Sequence, residues 1–284
     1  MTAHNEREMR SLVNLLDDDD PKSSALVQER ILGLGETMIP FLEEAHDRLG
    51  PRLRGKLDSL LVELRYRGLE AAFAHLAAAA EPDLEQGAFL LARFGRPDLE
   101  VERYRRWLDE TAQAVRDTAP SPEPYPTLHR LNVHLFQDLR FRGNDRRYYD
   151  PSNSFLDRVI DSRAGIPITL SVLVLLLGRR LSLPLEGAGL PGHYMVRFST
   201  AQHTFFLDAF HEGRLLTRAQ CRQFLVRSGY AFREDFLKPT RSRETLARMM
   251  RNLLSVYQRS GNTTRAEKLS TLVELLLTRG ARQG

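Results

Sequence analysis

The stretch RAGIPITLSVLVLLLGRRLSLPLEGAGLPGH, from Arg163 to His193, organises the rest of the chain. Within it, the ten residues from Ile168 to Leu177 include only two polar side chains, Thr169 and Ser171. An apolar run with no polar face predicts a helix that is buried on all sides. Proline is favoured at the first position of a helix, so we expect this helix to start at Pro167.

The composition is compatible with a chain that folds in a reducing compartment. Its 284 residues are 42% hydrophobic, which is enough for a substantial core. The only cysteine, Cys221, excludes an intramolecular disulfide and a multi-cysteine zinc site. The N-terminus is polar and acidic and lacks the apolar segment of a secretory signal, so we expect a cytoplasmic protein. The apolar run ending at Leu177 is shorter than the roughly 18 to 20 residues that span a bilayer, so no membrane segment is expected.

Charge and histidine spacing point to no particular cofactor. Lys and Arg number 41 against 37 Asp and Glu, which gives a net charge of +4 and weak evidence for an acidic partner. The eight histidines show no HExxH or similar ligand spacing. The sequence therefore predicts neither a metal site nor a cofactor.

Residues 1–76 predict an N-terminal helical region of short amphipathic helices. The apolar positions form two sets, Met9, Leu12, Leu15 and Leu16 in one and Leu57, Leu60, Leu61 and Leu64 in the other. The acidic run Asp17 to Asp20 predicts a solvated loop rather than a calcium site, because no glycine turn accompanies it. The segment LGETMIPFLEEAHDRL loosely resembles a HEAT-type helical repeat, although no regular period recurs.

Residues 77–238 predict a core of helices and strands. Two helical patterns are separated at Gly95 to Pro97, and Trp107 is expected to pack beside the apolar stripe of the second. The segment SPEPYP, Ser121 to Pro126, predicts a loop because proline interrupts helices. The later segments GAGLPGHYMVRF and HTFFLDAFHEGRLLT predict two or three antiparallel strands, with a turn at Glu212 and Gly213.

Capping patterns mark two helix starts, and the C-terminal residues predict a helical hairpin. Ser154 with Asp157 and Thr217 with Gln220 each have capping-box spacing. Residues 239–284 predict two amphipathic helices joined at residues 260–262, docked on the core because one hairpin cannot bury its own apolar face. The residues that resemble a tetratricopeptide-type hairpin are Leu253, Tyr257, Gly261 and Ala266.

The segment from Arg140 to Tyr149 interleaves basic and aromatic side chains. The residues concerned are Arg140, Phe141, Arg142, Arg146, Arg147, Tyr148 and Tyr149. Arginines can bind a phosphate backbone while aromatic rings stack on bases. The segment is therefore weak evidence for nucleic-acid binding. The alternative that we favour is a loop whose arginines pair with nearby acids and whose aromatic rings pack inward.

Two residues of a catalytic arrangement follow the central helix. His193 opens a strand after a Pro-Gly turn, and Asp208 lies in the apolar run FFLDAF, where a carboxylate needs a partner. An acid of this kind can orient an imidazole, which then activates a nucleophile at the helix start. Arg163, just before the helix, is expected to close the same cleft by pairing with an acid.

The motifs NSFL, GIPITLS, PGHYMVR and LDAF resemble the SirB-type branch of the transglutaminase-like superfamily, over roughly residues 80–275. The resemblance implies a papain-like transglutaminase core flanked by helices, in bacterial cytoplasmic proteins discussed as regulators, and it implies no cofactor. In active superfamily members a cysteine stands two residues after a glycine at the helix start, followed by a histidine and an aspartate. Gly165, His193 and Asp208 match these positions, but Pro167 stands where the cysteine would be.

No other side chain of the sequence replaces that nucleophile convincingly. Cys221 follows the aspartate in a different helix, and we interpret it as an ordinary buried residue. Thr169 and Ser171 lie inside the central helix and turn away from its start, where hydroxyls usually bond the backbone. The pair of His193 and Asp208 is then either a structural relic or part of a ligand pocket.

We therefore predict a mostly helical α+β protein with a transglutaminase-like core and no catalytic cysteine. The leading hypothesis is a non-enzymatic protein-interaction or regulatory module whose partner is another protein. The alternative is a hydrolase or amidase in which His193 and Asp208 activate water. Nucleic-acid binding through Arg140 to Tyr149 is the weaker third hypothesis.

Overall fold

The computed structural model describes residues 3–16, 20–46 and 51–278. It confirms the predicted α+β class, with many helices and a small antiparallel sheet. The chain divides into two compact units, one up to Ala72 and one from Phe73 onward. The predicted domain boundaries after residues 76 and 238 stay predictions. Among the described residues, no helix is long and apolar enough to cross a membrane.

The described part of the first unit is helical. Its helices are α1 (Ala3–Leu15), α2 (Pro21–Leu34), α3 (Ile39–His46) and the start of α4 (Pro51–Ala78). The side chain of Asp20 caps α2 by accepting from the backbone N–H groups of Lys22 and Ser23, while the rest of the acidic run lies outside the described residues. The leucines of α4 that we predicted are buried, but Leu15 is half exposed.

The remaining helices belong to the second unit. They are α5 (Leu84–Gly95), α6 (Val101–Thr118), α7 (Pro124–Val133), α8 (Leu156–Ser162), α9 (Pro167–Arg180), α10 (Arg218–Arg227), α11 (Ser242–Arg259) and α12 (Thr263–Thr278). The predicted central helix is α9, which starts at Pro167 and is buried along most of its length. The last two helices form the predicted hairpin, with Gly261 in a left-handed conformation at their connection.

The strands form two sheets. They are β1 (Arg142–Gly143), β2 (Ala164–Gly165), β3 (Leu185–Leu190), β4 (His193–Ser199), β5 (Thr204–Asp208), β6 (Arg214–Leu216) and β7 (Pro239–Thr240). The short strands β1 and β2 pair in parallel, and the other five form an antiparallel sheet in the order β6-β5-β4-β3-β7. The predicted turn at Glu212 and Gly213 is present, and both residues have positive φ.

The two faces of the five-stranded sheet pack on different helices. One face carries Met195 and Phe206, which cluster with Cys221 of α10. The other face carries Leu185, whose side chain fills the space beside Gly178 of α9. Because side chains alternate along a strand and paired residues share a face, α9 and α10 lie on opposite faces of the sheet.

Three local predictions were wrong. The strand segments hold four strands in succession with β7 added at the edge, rather than two or three, because GAGL pairs with the strand after the Pro-Gly turn. The segment SPEPYP is not wholly a loop, because α7 starts at Pro124 and proline is compatible with a first helical turn. Ser154 does not cap α8: the helix follows Phe155, and the Ser154 hydroxyl is buried without a hydrogen-bond partner. Thr217 and Gln220 do form the predicted capping box of α10.

Candidate functional site

His193 is held at the tip of a hairpin. It begins β4 directly after the turn of Pro191 and Gly192, so it opens the second strand of the hairpin that β3 and β4 form. Gly192 has a φ of +69°, a left-handed conformation that favours glycine. The Arg248 guanidinium of α11 donates to the carbonyl oxygens of Leu190 and His193, at 2.5 and 2.7 Å. These bonds join both sides of the turn to α11.

His193, Asp208 and His211 form one hydrogen-bonded group, which we call the His193 cluster. His193 Nε2 lies 2.9 Å from Asp208 Oδ1, and His211 Nδ1 lies 2.8 Å from Asp208 Oδ2. Asp208 Oδ1 also accepts from the backbone N–H groups of Phe210 and His211, at 3.2 and 3.3 Å. An ionised carboxylate only accepts, so each imidazole donates from the nitrogen that faces it.

Burial and hydrogen bonding shift the pKa of Asp208 in opposite directions. Its side chain is 3% exposed, and this burial disfavours the charged form. Hydrogen bonds and charge from His193 and then His211 outweigh burial, so the pKa of Asp208 lies below its ordinary value. The carboxylate is therefore ionised at neutral pH, and it is the fixed acceptor around which both imidazoles are arranged.

Sequence reasoning found two members of the cluster and missed His211. It lies three residues after Asp208, on the turn into β6, and its side chain is 54% exposed. The signal available in the sequence was the spacing of Asp208 and His211, because a turn brings residues three apart within hydrogen-bond reach. The third member therefore connects a buried pair to solvent.

Aromatic rings enclose the rest of His193. Its ring centroid lies 5.1 Å from that of Phe224 and 6.2 Å from that of Phe210. The Phe210 ring is also edge-on to Tyr148, at 6.0 Å between centroids. These contacts make an apolar wall around the imidazole, in which electrostatic interactions are stronger than in water.

The start of α9 is built from tightly packed backbone. Gly165 lies in β2, and a Cβ on it would come within 2.9 Å of a Val159 methyl group, so only glycine fits without displacement. Its partner in β1, Gly143, donates its N–H to the carbonyl oxygen of Phe210. Pro167 follows as the first residue of α9 and is buried. The backbone of Phe210 thus bonds to β1, which pairs with the strand just before Pro167, and the ring of Phe210 contacts His193.

Strand alternation places His193 and Asp208 on the α10 face of the sheet. His193 shares a face with Met195, and Asp208 shares one with Phe206. The helix α9 packs on the opposite face. Among the described contacts of His193, none is with a residue of α9. The assignment of Pro167 to the nucleophile position therefore stays a prediction from the resemblance.

The remaining candidate nucleophiles are enclosed. Cys221 has no exposed surface, and burial, followed by the charge of Asp208, raises the pKa of its thiol to about 12. Ser171 donates to the carbonyl oxygen of Tyr194 at 3.3 Å, and Thr169 has a buried hydroxyl without a hydrogen-bond partner. All three side chains belong to the packed interior.

Arg163 does not pair with an acid at the cluster. Its guanidinium carbon lies 4.8 Å from the ring centroid of Phe141 and 5.3 Å from that of Trp107. Burial lowers the pKa of Arg163, and one of its terminal nitrogens, Nη1, is enclosed without a hydrogen-bond partner. Cation–π packing against aromatic rings takes the place of the ion pair that we expected. Trp107 is half-buried in this stack.

The segment from Arg140 to Tyr149 fits neither sequence interpretation completely. Phe141 is buried and Tyr148 is half-buried, as the loop interpretation predicts. Its arginines, however, are exposed and form no ion pair within the described part of the chain. They are Arg140, Arg142, Arg146 and Arg147. Tyr149 is exposed, and the guanidinium carbon of Arg259 lies 4.4 Å from its ring centroid.

Two described cavities lie in other parts of the second unit. One of about 660 Å³ is lined by residues that include Pro82, Leu176 and Thr240, and one of about 520 Å³ by charged residues that include Glu85 and Arg180. The His193 cluster lines neither of them.

Comparisons with known proteins agree with this architecture. Residues 102–251 match the profile of the transglutaminase-like superfamily, which covers more than half of the chain. A UPF0162 protein from Xylella fastidiosa is 34% identical over 197 residues, which cover 67% of this chain and 69% of the relative. A UPF0162 protein from Pseudomonas aeruginosa is 32% identical over 198 residues, covering 67% and 71%.

The similarity extends to a larger mammalian protein. F-box only protein 21 from Homo sapiens is 30% identical over 158 residues, which cover 53% of this chain but 25% of that protein. No solved structure matches the chain. On the matched region and its length, the chain belongs to the transglutaminase-like superfamily and to its UPF0162 proteins.

Proposed function

We propose that this chain is a non-enzymatic, SirB-type member of the superfamily that binds another protein in the cytoplasm and regulates it. One observation carries the proposal: neither Pro167, at the nucleophile position of the superfamily, nor Cys221 can supply a thiolate. Pro167 has no nucleophilic group, and the Cys221 thiol, with a pKa of about 12, is not ionised at neutral pH. The imidazole of His193 therefore has no thiolate to activate.

The hydroxyl side chains of α9 support the same conclusion. Ser171 and Thr169 have no exposed surface. A hydroxyl that bonds a carbonyl inside the core, as Ser171 does, cannot also attack a substrate. The His193 cluster then serves to hold β4, β5 and the turn after β5 together.

A binding surface is available at the exposed arginines. We define the arginine surface as the side chains of Arg140, Arg142, Arg146, Arg147 and Arg259. The contact between Arg259 and Tyr149 joins the end of α11 to the loop, so the surface spans two elements. Exposed guanidinium groups bind carboxylates through paired, charge-assisted hydrogen bonds. Charge complementarity therefore favours an acidic segment of a partner protein.

The aromatic residues argue against nucleic acid as that partner. Sequence-independent binding of single strands depends on free ring faces on which bases can stack. Phe141 is buried under Arg163, Tyr148 is half-buried against Phe210, and Arg259 covers one face of the exposed Tyr149. The arginines remain available for an anion, but two of the three rings that would hold bases are enclosed.

The partner class is tested by charge reversal. Fluorescence anisotropy measures the binding of a labelled peptide with a run of glutamates to the wild type and to Arg146→Glu with Arg147→Glu. We expect the double variant to bind about tenfold or more weakly, which corresponds to about 1.4 kcal/mol, and affinity to fall as salt rises. The matched control is Arg93→Glu with Arg106→Glu, which makes the same charge change at exposed arginines of α5 and α6.

Three results would overturn the acidic-partner proposal: absence of peptide binding, an equal loss in the control variant, or tighter binding of a single-stranded oligonucleotide of matched charge. The non-enzymatic part is tested separately with amine, glutamine-peptide and amide substrates. Turnover by the purified chain that His193→Ala abolishes and His203→Ala preserves would show that the protein is an enzyme.

A second candidate function rests on the pair of His193 and Asp208. Their 2.9 Å hydrogen bond holds the imidazole with Nε2 protonated, which leaves the lone pair on Nδ1. No described residue forms a hydrogen bond with that Nδ1 atom. Such an imidazole can take a proton from water that attacks an amide carbonyl, so this candidate is a hydrolase or amidase. The same substrate screen decides between the two candidates.

A further inference from the structure

We infer that His193, Asp208 and His211 form a binding site for one divalent transition-metal ion, for which Zn²⁺ is the best match. One donor atom from each residue can be chosen so that all three lie within 4.8 Å of one another. No ligand motif in the sequence indicates this site, because the ligands come from the start of β4, the end of β5 and the turn that follows. This inference is independent of the protein-binding proposal.

The donor set favours zinc over the hard cations. Two imidazole nitrogens and one carboxylate are borderline ligands, whereas Ca²⁺ and Mg²⁺ prefer sites built almost wholly from oxygen. Three protein ligands with a fourth position for water is an arrangement that zinc adopts in open sites. The exposed half of His211 faces solvent, so the ion has a route of entry and a position for that water.

The distances require an adjustment that the exposed ligand can make. Zinc bonds nitrogen at about 2.0–2.1 Å, so two ligands of one tetrahedral ion lie about 3.4 Å apart. The separation of up to 4.8 Å within the cluster must therefore contract by up to about 1.4 Å. His193 is enclosed by Phe210 and Phe224, but the exposed His211 ring is free to rotate.

Proton positions also have to change. In the metal-free cluster each imidazole donates an N–H to Asp208. A metal ligand must present a lone pair on that nitrogen, so the proton of each neutral ring moves to its other nitrogen. The ion then replaces two shared protons as the positive centre beside the carboxylate.

The surroundings already orient the carboxylate as a ligand. The backbone N–H groups of Phe210 and His211 both donate to Asp208 Oδ1 and fix the plane of the group. Outer hydrogen bonds of this kind raise metal affinity because they reduce the freedom of the ligand.

Isothermal titration calorimetry with ZnCl₂ tests the site, using the full chain after removal of metals with a chelator. We expect one ion per chain for the wild type, an affinity lower by about 100-fold or more for His211→Ala, and no change for His203→Ala. His203 is the matched control because it is an exposed histidine on the turn between β4 and β5, outside the cluster. Zinc should also raise the melting temperature of the wild type and of His203→Ala, but not that of His211→Ala.

Cobalt provides a second readout that does not depend on stability. Co²⁺ bound by two imidazoles, a carboxylate and water should give the intense visible absorption of a four- or five-coordinate ion. His211→Gln, which keeps a polar side chain of similar length, should lose that spectrum while retaining the wild-type circular dichroism. No saturable binding by the wild type, or equal binding by the wild type and His211→Ala, would overturn the inference.

Discussion

The His193 cluster and the arginine surface are both groups of charged side chains, but the first is mostly buried and the second is exposed to solvent. In the cluster, both oxygens of a nearly enclosed carboxylate have donors. On the arginine surface, the guanidinium groups are exposed and form no ion pair with a described residue. Buried polar groups must be satisfied within the fold, whereas exposed cations remain available to other molecules. The cluster is therefore expected to control stability, and the surface to control binding.

Phe210 connects the two regions. It lies between Asp208 and His211 in sequence, and its ring contacts His193. Its carbonyl oxygen accepts from the N–H of Gly143, which lies in the segment from Arg140 to Tyr149. A change at this connection should therefore affect both regions, while changes within either region should stay local.

Removal of the Asp208 carboxylate should have the largest effect. Asp208→Ala leaves two imidazoles and two backbone N–H groups without their acceptor, and we expect a loss of about 3 kcal/mol in the free energy of unfolding. Chemical denaturation measures the loss. Asp145→Ala, at an exposed aspartate in the segment from Arg140 to Tyr149, is the control and should change stability by less than about 0.5 kcal/mol. Equal stability of the two variants would refute the view of the cluster as a structural centre.

Crowding of Phe210 by a new side chain at Gly143 should give the second-largest loss of stability. In Gly143→Ala the new Cβ would lie 2.6 Å from both the ring and the carbonyl oxygen of Phe210, so backbone must move. We expect a loss of about 2 kcal/mol, together with altered peptide binding at the arginine surface. Gly55→Ala is the control, because that helical glycine is exposed and has open space beside it. There the change should stabilise the protein by about 0.5–1 kcal/mol.

The change in stability with pH that Asp208 causes should be smaller than either of these losses. Its folded-state pKa is lowered, so its contribution is complete above the unfolded pKa of about 4 and is lost as pH falls through the folded value. The stability difference between wild type and Asp208→Asn should therefore be constant above about pH 5 and should shrink below about pH 4. Urea unfolding across this range measures it. A difference that grows as pH falls below 4 would mean that the sign of the shift is wrong.

Neutralising the loop arginines should have the smallest effect on stability. Arg146→Gln with Arg147→Gln removes two exposed charges that pair with no described acid, and we expect a change within about 0.5 kcal/mol. Thermal unfolding at low and high salt checks this. A loss above about 1 kcal/mol that salt removes would mean that the arginines do pair within the protein, as the loop interpretation held.

Local chemistry accounts for the features that could be predicted from sequence. The start of α9 at Pro167, the capping box of α10 and the turn at Glu212 and Gly213 each depend on residues close together in the chain. The pairing of His193 with Asp208 was also predicted, although the two residues lie on different strands, and the hydrogen bond between them is present. The helix start, the capping box and the turn depend on short-range sterics and hydrogen bonds that a few residues specify.

Other features depended on contacts with residues outside the local motif. The Ser154 cap failed because the chain around Asn153 is held by Asn144 and by the carbonyl oxygens of Arg147 and Tyr148, which places Phe155 at the cap position. Arg163 found aromatic rings from α6 and from the segment before β1 instead of an acid. No pattern within either segment specifies these partners.

The pattern of residues along the chain was enough to predict a buried central helix, a buried cysteine, and a histidine and an aspartate in neighbouring strands. The packing of the whole fold turns His193 and Asp208 toward α10, adds His211 to their group, and leaves the arginines of residues 140–149 without an ion pair among the described residues. Periodicity and turn chemistry cannot specify these contacts, because they act over a few residues. The partner of a charged side chain depends on which segments the whole fold brings within a few ångströms of it.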